Sequence, residues 1–233
     1  MRLWERVPDA AAAERLCRSQ AARASRGRLL RMLAVVLAAL AIAHADLAPR
    51  DSAADEQSPN DSLAGQMLVA TPKMDDPQFA KTVIYIAAHN ADGALGLIVN
   101  EPVKDVTFAE LFDLMKKDHT AVKGSLTVHY GGPVEPRLGF VLHSRDVMLG
   151  GDEVVAGDMA MSSGPDMLDK IADGHGPSKF LFALGYAGWG PNQLEMEIAQ
   201  GAWYVVPADP ELIFARDPAK VWEHAVAKHQ TTL

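Results

Sequence analysis

The local patterns of this chain predict an α+β fold in a single domain, and three observations carry that prediction. A hairpin signal comes early, with Thr82–Ala87 (TVIYIA), Asp92-Gly93 and Leu95–Val99 in succession. An amphipathic helix follows it directly, opened by Thr107 with Glu110 three residues on. Thereafter strand-like and helix-like runs intermingle without the strict repeat of a parallel α/β sheet. At 233 residues and 48% hydrophobic content, the chain can bury one good-sized core.

The first strand is Gln66–Ala70 (QMLVA), stopped by Thr71-Pro72. Phe79 reads as a core plug between it and the second strand. The hairpin leaves His89 and Asn100 near its two ends. Phe108, Leu111, Phe112 and Met115 recur at helical spacing, with Lys116 and Lys117 in the last turn. Strands Leu126–Tyr130 and Leu138–Leu142 flank a loop containing Gly131, Gly132 and Pro133. Ser163, Pro165 and Asp166 open a second helix that Gly174 closes. Phe180–Tyr186 is a strand leading into Gly188-Trp189-Gly190. Asn192 and Glu195 repeat the capping-box spacing ahead of a third helix, Trp203–Val206 is a strand, and Asp217-Pro218 starts a terminal helix.

Charge is distributed unevenly. Residues 1–45 hold eight Lys/Arg against three Asp/Glu, a local +5, whereas residues 46–233 hold 14 against 27, giving −13. A body of that sign is repelled by phosphate backbones, so direct nucleic-acid binding is disfavoured. Arg23, Arg26, Arg28 and Arg31 precede a charge-free run, Met32–Ala43, and then Ala43-His44-Ala45. That order is a secretory signal peptide, residues 1–45, cleaved after Ala45. The apolar run falls short of the ~20 residues a spanning helix needs, so no permanent transmembrane anchor is expected after cleavage. A periplasmic or secreted location follows; the alternative is a cytoplasmic protein whose N-terminal segment is an amphipathic or buried helix. Residues 46–62, polar and acidic, form a flexible tether, and residues 63–233 form the domain.

No nucleophile elbow, Walker loop, HExxH helix or EF-hand loop occurs. The single cysteine, Cys17, lies in the leader, so the domain has no thiol chemistry. His89, His129 and His143 lie near strand ends and would suit zinc or copper if they converged, although a histidine there is more often satisfied by a carbonyl. The double glycine of the GGP loop offers an anion-binding nest or, more simply, a tight structural turn. Trp189 is either an exposed contact or a core plug. Glu195 and Glu197 point to different sides of their helix and do not make a catalytic pair. No cofactor is expected, and the partner is an unknown protein or small molecule.

Four stretches together resemble one family: SLAGQMLVATPKMDDPQFAKTVIYIAAHN, GALGLIVNEPV, YGGPVEPRLGFVLHS, and GYAGWGPNQLEMEIAQGAWYVVPAD with the following ELIF. They are similar, in the same order, to the YqgE/AlgH family of uncharacterised bacterial proteins labelled as transcriptional regulators. The resemblance spans about residues 62–222. It implies a mixed, bifurcated sheet forming a pseudo-barrel with flanking helices. Many relatives carry cysteine where this chain has Ala88, so a thiol-based role does not transfer. Most also lack a leader.

These readings make the chain a non-enzymatic binding or accessory domain in the periplasm. Its expected binding face comprises His89, Asn100, Gly131, Gly132, Pro133, His143, Gly188 and Trp189. The alternatives are a cytosolic regulator acting through protein partners and a metal-dependent hydrolase.

Overall fold

A computed structural model describes residues 62–117, 122–150 and 154–232. The leader and nearly all of the tether expected from the sequence lie outside the described residues. Ten strands form one branched sheet: β1 (Gln66–Ala70), β2 (Val83–Asn90), β3 (Gly93–Ile98), β4 (Pro102–Thr107), β5 (Ser125–Tyr130), β6 (Val134–Ser144), β7 (Val154–Ala156), β8 (Met159–Ser163), β9 (Phe180–Trp189) and β10 (Trp203–Pro207). The helices are α1 (Phe108–Leu114), α2 (Pro165–Ala172), α3 (Gln193–Ala199), α4 (Pro210–Ile213) and α5 (Val221–Thr232), with a 3-10 turn at Pro218–Lys220 before the last. Among the described residues no helix is long and apolar enough to cross a membrane.

The main path runs β10-β1-β2-β3-β9-β6-β8-β7, while β5 pairs with β9 and β4. All pairings are antiparallel except β5 with β9. The sheet curls so that β7 returns to β2, where the Tyr85 hydroxyl donates to the Ala156 carbonyl. This is the bifurcated pseudo-barrel of the α+β expectation.

The branch lies in β9, and its cause can be read residue by residue. Leu181 and Ala183 face the inner core, and so does Tyr186, three positions after Ala183 rather than two. A strand alternates with period two, so the facing of β9 shifts by one position at Gly185, which takes φ +76°, and the register with β6 breaks at the same place, between Val134 and Gly139. Before Gly185, Val128–Tyr130 of β5 pair alongside residues 182–184; after it, β3 pairs with residues 187–189. The outer face changes partner at the same place. Phe182 packs with α1 and α2 residues, whereas Ala187 and Trp189 pack with Leu68, Ile84 and Trp203.

Three glycines close this junction. A Cβ on Gly131 would lie 2.3 Å from the Gly185 carbonyl oxygen, and one on Gly185 would lie 2.3 Å from that of Gly132. Gly131 also donates to Leu184 and accepts from Ile98. The GGP segment therefore packs its backbone on β9.

Thr107 and Glu110 form a true capping box, as their spacing predicts. Asn192 and Glu195 do not. Asn192 sits in the left-handed region at φ 57° and makes no side-chain cap, and Glu195 turns instead to His89. Ser163 ends β8 rather than opening α2, whose N-cap is Gly164. The elements absent from the sequence reading are β4, β7, β8 and α4.

Candidate functional site

Most of the residues expected to make one binding face are buried or hydrogen-bonded within the fold. Nδ1 of His89 accepts the Leu63 N–H at 2.9 Å, which leaves its proton on Nε2, 2.7 Å from Glu195 Oε1. The Asn100 side chain accepts from Val83 and donates to Lys81 at 2.7 and 2.9 Å. His143 is 0% exposed between the Ser162 hydroxyl and the Ser144 carbonyl. Trp189 is 3% exposed and meets Trp203 edge-on, so the core-plug alternative holds and the exposed-contact one does not. Gly131 and Gly132 are buried, Gly188 is half-buried beside Leu95, and Pro133 alone of the set is well exposed. Hydrogen bonds within the fold engage His89, Asn100 and His143, and tight backbone packing at the sheet branch covers Gly131 and Gly132, so the set does not present an open face.

The three histidines also stay apart. His129 aligns with Ala183 on one side of β9 and His143 with Phe180 on the other, while His89 bonds to Leu63 and Glu195 beyond β3. Among the described residues no group of three or more His, Cys, Asp or Glu is placed to hold a metal ion.

One sequence candidate does line a cavity. Ser125, Thr127 and His129 alternate along β5 and so share a face, while Leu126 and Val128 turn the other way into the core beneath α1. That polar face is the floor of a cavity of about 640 Å³. Asp105 of β4 joins it, opposite Thr127, whose hydroxyl donates to the Asp105 carboxylate at 2.6 Å. Phe180 comes from the start of β9, and the segment after α4 contributes Phe214 and Arg216. The volume lies within the roughly 300–1,000 Å³ usual for small-molecule sites.

His129 is the unusual member. Its Nδ1 is buried without a hydrogen-bond partner among the described residues. Burial pushes its pKa down, partly offset by the Phe182 and Thr127 carbonyls and by Asp105, so the ring is neutral at neutral pH. Ser125 is four residues from His129 on the same strand, roughly 13 Å at ~3.3 Å per residue. A nucleophile and its base need ~3 Å, so these two do not form a hydrolytic dyad.

The sequence reading missed Asp105, Thr127, Phe214 and Arg216. Alternation in SLTVHY was the available signal for Thr127, since it places three polar groups on one side of a half-buried strand. Nothing local marks Arg216, which reaches the cavity through the path of the chain after α4.

Glu197 is the other residue whose role needs the structure. Its Oε2 accepts both the Trp189 and Trp203 indole N–H groups at 2.9 Å, and its Oε1 accepts from Gln193 at 2.9 Å. Glu195 and Glu197 thus serve separate partners, as their placement on the helix suggested.

A family profile described as AlgH-like matches residues 67–233. A UPF0301 protein of Cereibacter sphaeroides is 43% identical over 161 residues, covering 69% of this chain and 88% of that one. Another from Nitrobacter hamburgensis is 42% identical over 184 residues, 75% of this chain and 85% of its own. The solution structure of the AlgH protein from Pseudomonas aeruginosa, at 40% identity, covers 74% of this chain and 91% of that one with a TM-score of 0.62. A crystal structure of a Corynebacterium diphtheriae protein, 24% identical with a TM-score of 0.56, shares the fold. The cysteine-free sheet domain described above, with its GGP branch point, belongs to the AlgH-like family.

Proposed function

We propose that this chain is a non-enzymatic binding domain, exported to the periplasm, that takes a small molecule into the cavity on β5. The cavity itself is the observation that supports this reading. It joins a polar floor to aromatic walls, the combination that orients and holds small ligands. Its imidazole is too far from the Ser125 hydroxyl to take a proton from it, so the reading is one of recognition rather than hydrolysis. The hydrolase alternative has no support in the positions of His89, His129 and His143, each of which lies in a different environment. Export rests on the basic and then apolar order of the leader, with Ala43 and Ala45 before the cut.

Two measurements test the two halves. Amide shifts of the ¹⁵N-labelled protein, mixed with pools of small metabolites, are expected to move together at residues 125–129 and 213–216. If no pool at millimolar concentration moves these signals, the cavity is not a ligand site. Fractionation with N-terminal sequencing is expected to find a periplasmic chain beginning at Asp46. An uncleaved chain in the cytosol would replace export with the cytosolic regulatory reading.

A further inference from the structure

Two opposite charges stand at the cavity without neutralising one another. Asp105 belongs to β4 and Arg216 to the segment after α4, and among the described residues neither takes part in an ion pair. The Asp105 carboxylate uses one acceptor position on the Thr127 hydroxyl, which leaves others available. His129, neutral through burial, adds no charge, so the lining sums to zero. Phenyl rings from Phe180 and Phe214 and the Ile213 side chain supply apolar wall.

This balance discriminates between ligand classes. An anion gains the Arg216 guanidinium but meets the Asp105 carboxylate, on a body whose residues 46–233 sum to −13. A cation gains Asp105 and meets Arg216. A net-neutral molecule with both charges satisfies each group and has no long-range repulsion to overcome. The guanidinium fork matches a carboxylate in shape, and a carboxylate such as that of Asp105 accepts from an ammonium.

Resting on the ligand-cavity reading above, we propose that the cavity binds a small zwitterion with an apolar side chain, an α-amino acid or a dipeptide. Its ammonium group lies at Asp105, its carboxylate at Arg216 and its side chain against Phe180 and Phe214.

Calorimetric titration of the full chain with L-phenylalanine, L-leucyl-L-phenylalanine, 3-phenylpropionate and 2-phenylethylamine tests this. The first two separate a free amino acid from a dipeptide; the last two each lack one charge. At least one zwitterion is expected to bind, with both single-charge analogues at least tenfold weaker. Arg216→Gln is expected to weaken the zwitterion at least tenfold while leaving 2-phenylethylamine unchanged or tighter, and Asp105→Asn should do the converse with 3-phenylpropionate. General damage to the fold would weaken every compound alike. Both substitutions are at exposed positions, and the analogue comparison on the unaltered chain needs neither of them. A single-charge analogue binding as tightly as the tighter of the two zwitterions overturns the proposed class, and so does absence of binding by both zwitterions at millimolar concentration. In either case the amide-shift measurement still decides separately whether the cavity binds anything.

Discussion

Replacing Glu197 by alanine removes one oxygen that two buried indoles share. Trp189 and Trp203 are each 3% exposed, and both donate to Glu197 Oε2 at 2.9 Å. A hydrogen bond to a charged acceptor contributes about 1.5–3 kcal/mol, so two bonds set a ceiling of about 6 kcal/mol. Glu197 is itself half-buried, and water entering the vacated space recovers part of that. The expected loss for Glu197→Ala is therefore about 3 kcal/mol. In a domain of this size that corresponds to a melting temperature lower by about 6–12 °C. Glu197→Gln retains an oxygen for the indoles but loses the charge and the acceptor of the Gln193 amide, so it should cost less than alanine, about half as much. Urea unfolding followed by tryptophan fluorescence reads both variants directly. A loss below about 1 kcal/mol for alanine, or equal losses for alanine and glutamine, would show that the shared oxygen does not hold α3 to the sheet.

Three further outcomes follow from the same geometry. Gly185→Ala adds a Cβ 2.3 Å from the Gly132 oxygen at a φ of +76°, and left-handed strain alone costs about 1–2 kcal/mol; a total above about 3 kcal/mol, or loss of soluble protein, is expected, and a loss under about 1 kcal/mol would mean the branch tolerates side chains. Asp146 accepts from the Ser144 hydroxyl and the Ser178 N–H, which lower its pKa from 3.8 to about 2. Its stabilising contribution is present above the unfolded carboxylate value and is lost as pH falls through the folded one, so Asp146→Asn should flatten the fall in urea midpoint between about pH 4 and pH 2. An unchanged slope there counts against it. His89→Ala removes the acceptor of the Leu63 N–H, and hydrogen exchange at Leu63 is expected to quicken at least tenfold while the Val83 amide, bonded to Asn100, keeps its protection. Equal protection at Leu63 in both proteins would show that His89 does not secure the start of the domain.

Where a segment's own residues carried enough information, the sequence reading and the structure agree. Gln66–Ala70 is a strand with identical ends in both, because an apolar run bounded by turn residues has little alternative. The Thr107 capping box survives because both of its bonds lie within four residues. The same spacing failed at Asn192, where a partner 106 residues away claims the glutamate: Glu195 meets His89 at 2.7 Å. Strand β4 escaped notice because it is an exposed, polar edge beginning with Pro102, and only its pairing with β5 makes it a strand. The GGP loop was legible as a tight turn, but its companion Gly185, 53 residues on, was not.

The candidate site divides along the same line. The sequence by itself determined the α+β class, the family, the acidic body and the histidines worth examining, since these rest on composition, short periodicity and contiguous motifs. Only the tertiary structure decided which histidine meets a cavity. That outcome depends on how β9 switches neighbours at Gly185, where the chain runs after α4, and which long-range acceptor satisfies each buried polar group. Each is a contact between residues far apart in the chain, fixed by the requirement that buried donors and acceptors be paired. His89 and His143 meet that requirement through bonds within the fold, whereas His129 keeps an unpartnered nitrogen beside the cavity.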